Sequence, residues 1–135
     1  MHFRMPQKVT FKYCDPAGMV FYPRYFEMIN DAIEAMFDAV LGWPFEEIHK
    51  DRSVPTAAIE VRFDAPSRHG DLLHLDLTLM RIGRTSMALQ SQAACAAETR
   101  FRAEQTLVCV GPDGRPEPWP DPVRDKVTKL LEGRP

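Results

Sequence analysis

The sequence predicts a single α+β domain spanning residues 1–135, with one long helix lying against an antiparallel sheet of about five strands. Three observations carry this. A long apolar stripe at helical spacing occurs between Tyr25 and Leu41. Beyond Thr56 the hydrophobic period drops to two and holds through a succession of segments. These strand patterns follow one another rather than alternating with helices, which argues against βαβ units. A chain of 135 residues, 44% hydrophobic and 27% charged, builds one core and is too short for two domains.

Residues 9–13 are rich in β-branched and aromatic side chains and predict a short strand, which stops at the turn signal Asp15-Pro16-Ala17-Gly18. Pro23 suits the first turn of a helix, where its missing N–H would have no partner. The helix that follows buries Tyr25, Ile29, Ala32, Ile33, Met36, Phe37, Val40 and Leu41, and turns Glu27, Asp31, Glu34 and Asp38 to water. Gly42 and Pro44 end it. From Thr56, Ile59, Val61 and Phe63 alternate with Glu60, Arg62 and Asp64, the pattern of a half-buried strand. After a turn over residues 66–71, Leu73, Leu75, Leu77 and Leu79 mark a third strand. Beyond Gly83, Met87, Leu89, Ser91 and Ala93 mark its antiparallel neighbour. The last strand runs from Arg100 to Val110, with Arg100, Arg102 and Glu104 facing away from Phe101 and Ala103. Residues 111–120, rich in proline, form a rigid loop, and Asp121 as N-cap with Pro122 at the first helical position starts a small terminal helix ending near Gly133. So much apolar surface in so small a chain predicts self-association.

The 17 basic and 19 acidic residues are interspersed and leave a net charge of −2, so no footprint for nucleic acid or an anionic membrane is present. Cys14, Cys95 and Cys109 are odd in number and lack metal spacing, which fits a reducing compartment. Residues 1–10 carry no signal-peptide core, and no apolar run approaches the ~20 residues of a membrane span, so a cytoplasmic protein is expected. His2, His49, His69 and His74 show neither metal nor triad spacing, and no cofactor is expected.

The chemistry-bearing segment is Tyr13-Cys14-Asp15-Pro16-Ala17-Gly18-Met19-Val20-Phe21-Tyr22-Pro23-Arg24-Tyr25-Phe26. It sets a carboxylate in a turn shortly before a long helix, whose first N–H groups are free and whose N-terminus carries about half a positive charge. Such a pairing suits a carbonyl on which negative charge develops. It is also what an ordinary Asp-Pro turn with a left-handed Gly18 looks like, and the pattern alone does not separate the two.

The segment resembles the signature of the 4-hydroxybenzoyl-CoA thioesterase family, in which a strand ends in Asp, two residues intervene, then Gly, and apolar and aromatic residues lead into the central helix. Asp15, Pro16, Gly18, Val20, Tyr22, Pro23 and Tyr25 fall on that pattern. The resemblance implies the hotdog fold, a long helix wrapped by an antiparallel sheet. It further implies a thioesterase that hydrolyses an acyl-CoA, its acyl group aromatic such as hydroxybenzoyl or benzoyl, to free acid and coenzyme A. Asp15 is then the catalytic carboxylate, as nucleophile or general base, with Gly18 in its turn and the backbone N–H near Tyr22 polarising the thioester carbonyl. In the turn Arg81-Ile82-Gly83-Arg84-Thr85-Ser86, Arg84, Thr85 and Ser86 are implied as partners of the coenzyme A phosphates. Tyr25 and its aromatic neighbours would line the acyl pocket, although aromatics at a helix start are more often plain core. Similar proteins are homodimers or homotetramers with the site between subunits. Other branches of the fold use a carboxylate on the central helix, which makes Asp31 and Glu34 rivals to Asp15, and a non-catalytic acyl-CoA or acyl-carrier binding module is the alternative reading. Cys14 lacks a histidine near it in sequence and reads as structural.

Overall fold

The computed structural model describes residues 3–133, which leaves His2 outside them. In chain order it has β1 (Phe3–Lys8), a 3-10 turn (Phe11–Tyr13), α1 (Arg24–Ala39), a short α2 (Phe45–Ile48), β2 (Thr56–Phe63), β3 (Leu72–Ile82), β4 (Ser86–Cys95), β5 (Glu98–Val108) and α3 (Asp121–Leu131). The strands form one antiparallel sheet of order β1-β3-β4-β5-β2. This is the hotdog α+β architecture. No helix among the described residues is long and apolar enough to cross a membrane.

Helix α1 follows from its stripe. Tyr25, Ile29, Ala32, Ile33, Met36 and Phe37 are buried, together with Met28, while the four acidic residues of the other face stay exposed. The chain leaves through Gly42 at φ +64, with the Trp43 N–H returning to the Phe37 carbonyl at 2.9 Å. Against this stripe pack the inward residues of three strands: Leu73, Leu75, Leu77 and Leu79 of β3, Met87, Leu89 and Ala93 of β4, and Phe101, Ala103 and Leu107 of β5. β3 and β4 pair as the alternation predicts.

Three expectations are corrected. Residues 9–13 are not a strand. β1 lies earlier, at Phe3–Lys8, and residues 11–13 form a 3-10 turn. The reason is the sheet edge. β1 pairs only with β3, so Pro6 in its middle forfeits a donor at low cost, and strand propensity is a poor guide there. Secondly, β2 is not half-buried within one chain. It is the opposite edge strand, with Ile59 37% and Phe63 48% exposed, because α1 lies over β1 and β3 and meets it only at its end, where Tyr25 stacks on Phe63. Thirdly, α3 begins one residue early. Pro120 holds the N-cap position and Asp121 lies in the first turn, where its charge still favours the helix start.

The proline-rich loop is pinned by one residue. Trp119 is 2% exposed, packs edge-on against Trp43, and gives its indole N–H to the Ser86 carbonyl at 3.0 Å and its backbone N–H to the Arg84 carbonyl at 3.2 Å. Trp119→Ala removes that packing and a buried hydrogen bond at once, and is expected to lower unfolding free energy by ~3–5 kcal/mol in urea titration.

Candidate active site

The turn after the 3-10 helix is built around Asp15. Its backbone N–H bonds the Met19 carbonyl at 2.8 Å, and its own carbonyl accepts from the Gly18 N–H at 3.0 Å. The side chain folds back onto the same turn: Oδ1 accepts from the N–H groups of Ala17 at 2.9 Å and Met19 at 3.3 Å. Oδ2 takes no hydrogen bond among the described residues. Gly18 sits at φ +79, and since a Cβ there would meet nothing within 4 Å, the demand for glycine is conformational rather than spatial.

A second loop braces this turn. The Val20 N–H bonds the Ser67 carbonyl at 2.8 Å, the His69 N–H bonds the Gly18 carbonyl at 2.9 Å, and Met19 and Arg68 form a β-bridge. The brace is in turn anchored to the sheet. Arg100 is 9% exposed and donates from one guanidinium nitrogen to Asp71 Oδ2 at 2.7 Å and to the Pro66 carbonyl at 3.0 Å. The Arg68 N–H reaches the same Asp71 oxygen at 2.9 Å. The hydrogen bond from Arg100, followed by that from the Arg68 backbone, holds the Asp71 carboxyl below its ordinary range. Inside the brace the Tyr25 hydroxyl bonds Ser67 Oγ at 2.9 Å, both groups buried.

The helix start supplies the free donor. The Phe21 N–H goes to the Tyr13 carbonyl at 2.9 Å, the Arg24 N–H to Phe21 at 2.8 Å and the Tyr25 N–H to Tyr22 at 3.1 Å. Pro23 has none. The Tyr22 N–H is therefore left without an acceptor among the described residues, on a residue that is 58% exposed. Around it stand Phe21, Tyr22 and Phe63, all exposed, with Tyr22 and Phe63 edge-on at 5.9 Å. Asp15 and the Tyr22 amide thus share one end of α1.

The other residues singled out in the sequence fall elsewhere. Tyr25 is a core residue, stacked on Phe63 at 5.8 Å and tilted against Phe101 at 5.0 Å, with its hydroxyl committed to Ser67. That role in packing is the one its position on the apolar stripe gave it. Asp31 and Glu34 are exposed on the outer face of α1. Cys14 is half-buried, its Sγ facing the Thr10 carbonyl at 3.6 Å. Arg84, Thr85 and Ser86 lie in the β3–β4 hairpin, at the far end of β3 from the brace. Eleven residues of strand separate the two, about 35 Å. The carbonyls of this hairpin are all taken: Gly83 and Arg84 accept from Arg124, Arg84 also from Trp119, Thr85 from Cys109 and Ser86 from Gly83 and Trp119. The exposed Arg84 guanidinium has no ion pair among the described residues.

Ser67, Asp71 and Arg100 were not foreseen as parts of the site. Alternation put Arg100 on the solvent side of β5. Its side chain instead folds over the strand end onto the 66–71 loop, and only its nearness to Asp71, visible once the register is known, marks it.

A carboxylate in a braced turn beside a free helix-start amide, on a hotdog sheet, defines a class. The family model described as the thioesterase-like superfamily matches residues 9–127, and the chain belongs to that superfamily. As an enzyme it is a thioester hydrolase. The match is to a group wider than the 4-hydroxybenzoyl-CoA thioesterase family that the motif resembles. A 1,4-dihydroxy-2-naphthoyl-CoA hydrolase of Microcystis aeruginosa is 26% identical over 103 residues, covering 75% of this chain and 74% of that protein. A 1,4-dihydroxy-2-naphthoyl-CoA thioesterase from Synechocystis superposes with a TM-score of 0.86 at 23% identity, covering 95% of this chain and 96% of that one. A thioesterase from Thermus thermophilus, solved with coenzyme A and zinc, superposes with a TM-score of 0.83 at 25% identity, covering 98% and 95%.

Asp71 links stability to pH. Because its folded-state value is depressed, its contribution is fully present above the unfolded value of ~3.9 and is lost as pH falls through the lower folded value. Asp71→Asn is expected to cost ~2 kcal/mol at pH 7, with the gap between native and variant melting temperatures narrowing progressively as pH falls below the unfolded value of ~3.9.

Proposed function

We propose that this chain is an acyl-CoA thioesterase in which the Asp15 carboxylate attacks, or activates water against, a thioester whose carbonyl oxygen sits on the Tyr22 N–H. The observation that carries the reading is the pairing at one end of α1 of a carboxylate with a free oxygen and the unshared Tyr22 amide. In the nucleophilic route Oδ2 bonds the carbonyl carbon, the C–S bond breaks and coenzyme A leaves as thiolate. Water then cleaves the mixed anhydride, freeing the acid and restoring Asp15. In the general-base route Asp15 takes a proton from water, the oxygen adds to the carbonyl, and the proton passes to the departing sulfur. Both use the helix-start amide for the developing oxyanion. Gly18 contributes the left-handed turn that aims the carboxylate.

The exposed rings of Phe21, Tyr22 and Phe63 beside that amide favour an aromatic acyl group, which offset and edge-on ring contacts hold well. The naphthoyl-CoA names of the relatives fit the same reading. Arg84, with Thr85 and Ser86, is the proposed phosphate contact, and its distance from Asp15 within one chain requires that it come from a second copy. The β2 edge supplies a way. Its outer side has no strand neighbour among the described residues, and antiparallel pairing of two β2 edges sets the Asp15 end of one chain beside the hairpin end of the other. The working unit is then at least a homodimer. The unpaired cysteines suit a cytoplasmic setting.

The test is thiol release from benzoyl-, hydroxybenzoyl-, naphthoyl- and aliphatic acyl-CoA esters. Asp15→Asn, folded by circular dichroism, is expected to lose ~10³-fold in kcat on the preferred ester. Full activity in that variant would pass the role to Asp31 or Glu34. No turnover of any ester, with saturable binding retained, would favour the binding module. Arg84→Ala is expected to raise KM about tenfold with kcat little changed, and in mixed dimers of the two variants one of the two sites regains both groups.

A further inference from the structure

The loop over residues 66–71 meets both halves of the site. On the carboxylate turn, the Ser67 carbonyl accepts from Val20 at 2.8 Å and the His69 N–H reaches the Gly18 carbonyl at 2.9 Å, with the Met19–Arg68 bridge between them. On the helix start, Ser67 Oγ accepts from the hydroxyl of Tyr25, three residues beyond the Tyr22 amide. A shift of this loop therefore moves the Asp15 carboxylate relative to the amide placed to receive the oxyanion.

Arg100 grips that loop at both ends. Where β2 leads into it, the Arg100 carbonyl accepts from the N–H groups of Asp64 at 2.8 Å and Ala65 at 3.2 Å. From the side chain, Nη1 donates to the Pro66 carbonyl at the start of the loop and to Asp71 Oδ2 at its end, while Glu98 Oε1 lies 2.8 Å from Nε on the strand itself. Asp71 carries the grip further. Its Oδ2 also takes the Arg68 N–H, and its carbonyl takes the Val9 N–H at 2.8 Å.

Stability alone is a poor account of this network. Withdrawing a guanidinium and a carboxylate from water costs about what their attraction returns, so such a pair adds little net stability over an apolar filling. What it supplies is direction, because a planar donor set satisfies its acceptors in one geometry only. Aiming a reacting group requires that property.

We propose that Arg100 is a positioning residue of the thioester reaction: acting through residues 66–71, and without touching the substrate, it fixes the Asp15 carboxylate relative to the Tyr22 amide. The proposal rests on the Asp15 reading of the preceding section. Its effect falls on the chemical step and not on binding, since the hairpin proposed to hold coenzyme A lies at the far end of β3. Misplacing a reacting group by about an ångström is enough to cost about 10²-fold in rate.

The test is steady-state thiol release by Arg100→Met, which keeps an apolar stem and removes the donors, beside amide exchange followed by NMR. The variant is expected to lose about 10²-fold in kcat with KM within about twofold, and Arg100→Lys to recover part of the loss. Added to Asp15→Asn, Arg100→Met is expected to lower kcat no further, because it acts only through that carboxylate. Phe37→Leu, which thins the core three turns further along α1, is expected to lower the melting temperature and keep native kcat. The Val20 and His69 amides are expected to exchange about tenfold faster in Arg100→Met, over and above any change shared by amides in the middle of β3 and β4. The proposal is overturned if Arg100→Met or Arg100→Lys, whichever folds, keeps native kcat. It is equally overturned if the double variant falls below Asp15→Asn, if Phe37→Leu loses as much kcat, or if Val20 and His69 exchange no faster than the sheet. Absence of turnover of any ester by the native chain counts against the thioesterase reading, and the exchange rates then decide by themselves whether Arg100 holds the Asp15 turn.

Discussion

Enclosing the stripe of α1 is the constraint on which the other features depend. A chain of this size has one long helix and one sheet, and burying Met28, Ile29, Ala32, Ile33, Met36 and Phe37 requires the sheet to curl about the helix rather than lie flat. A single helix cannot cover five strands. It is spent on β1 and β3, leaving β2 bare at one edge, and the same placement fixes the helix N-terminus at the end of the sheet where the 66–71 loop passes. The position of the site and the incompleteness of the single chain have one cause.

The braced turn shows how little of that site is side-chain chemistry. Asp15 is aimed by two backbone N–H groups, the turn is held by two backbone bonds and a bridge to residues 67–69, and the donor at Tyr22 is a backbone amide at the entry to α1, where no earlier carbonyl of the helix is in place to accept it. Side chains enter one layer further out, where Arg100, Asp71 and the Tyr25–Ser67 bond fix the brace. The groups proposed to react are thus held by elements that would need little motion during reaction, which is what stabilising a developing oxyanion asks for.

The helix, the β3–β4 pair and the Asp15 turn were legible because each rests on a local rule: a stripe at helical spacing, an alternation of period two, a turn with glycine at positive φ. β1 was missed because its pairing is set by the edge of β3 and not by its own composition, in which Pro6 reads as a breaker. β2 was read correctly as a strand and wrongly as half-buried, since alternation reports which side chains share a face and says nothing of whether anything covers it. Arg100 escaped for the same reason: period places its Cβ, while the reach of a long side chain lets its guanidinium settle on Asp71. The broad family followed from a dense motif, whereas the brace is a property of two loops far apart in sequence.

The hairpin at Arg84 holds a last consequence. The carbonyls from Gly83 to Ser86 are all turned inward onto α3, Trp119 and neighbouring backbone. A tight turn ordinarily shows water both ends of its peptide dipoles; this one hides the negative ends and keeps the guanidinium outside. The C-terminal segment therefore does more than shape the hairpin: it covers the carbonyls of the tip and leaves the Arg84 guanidinium facing water, in a protein whose net charge is negative.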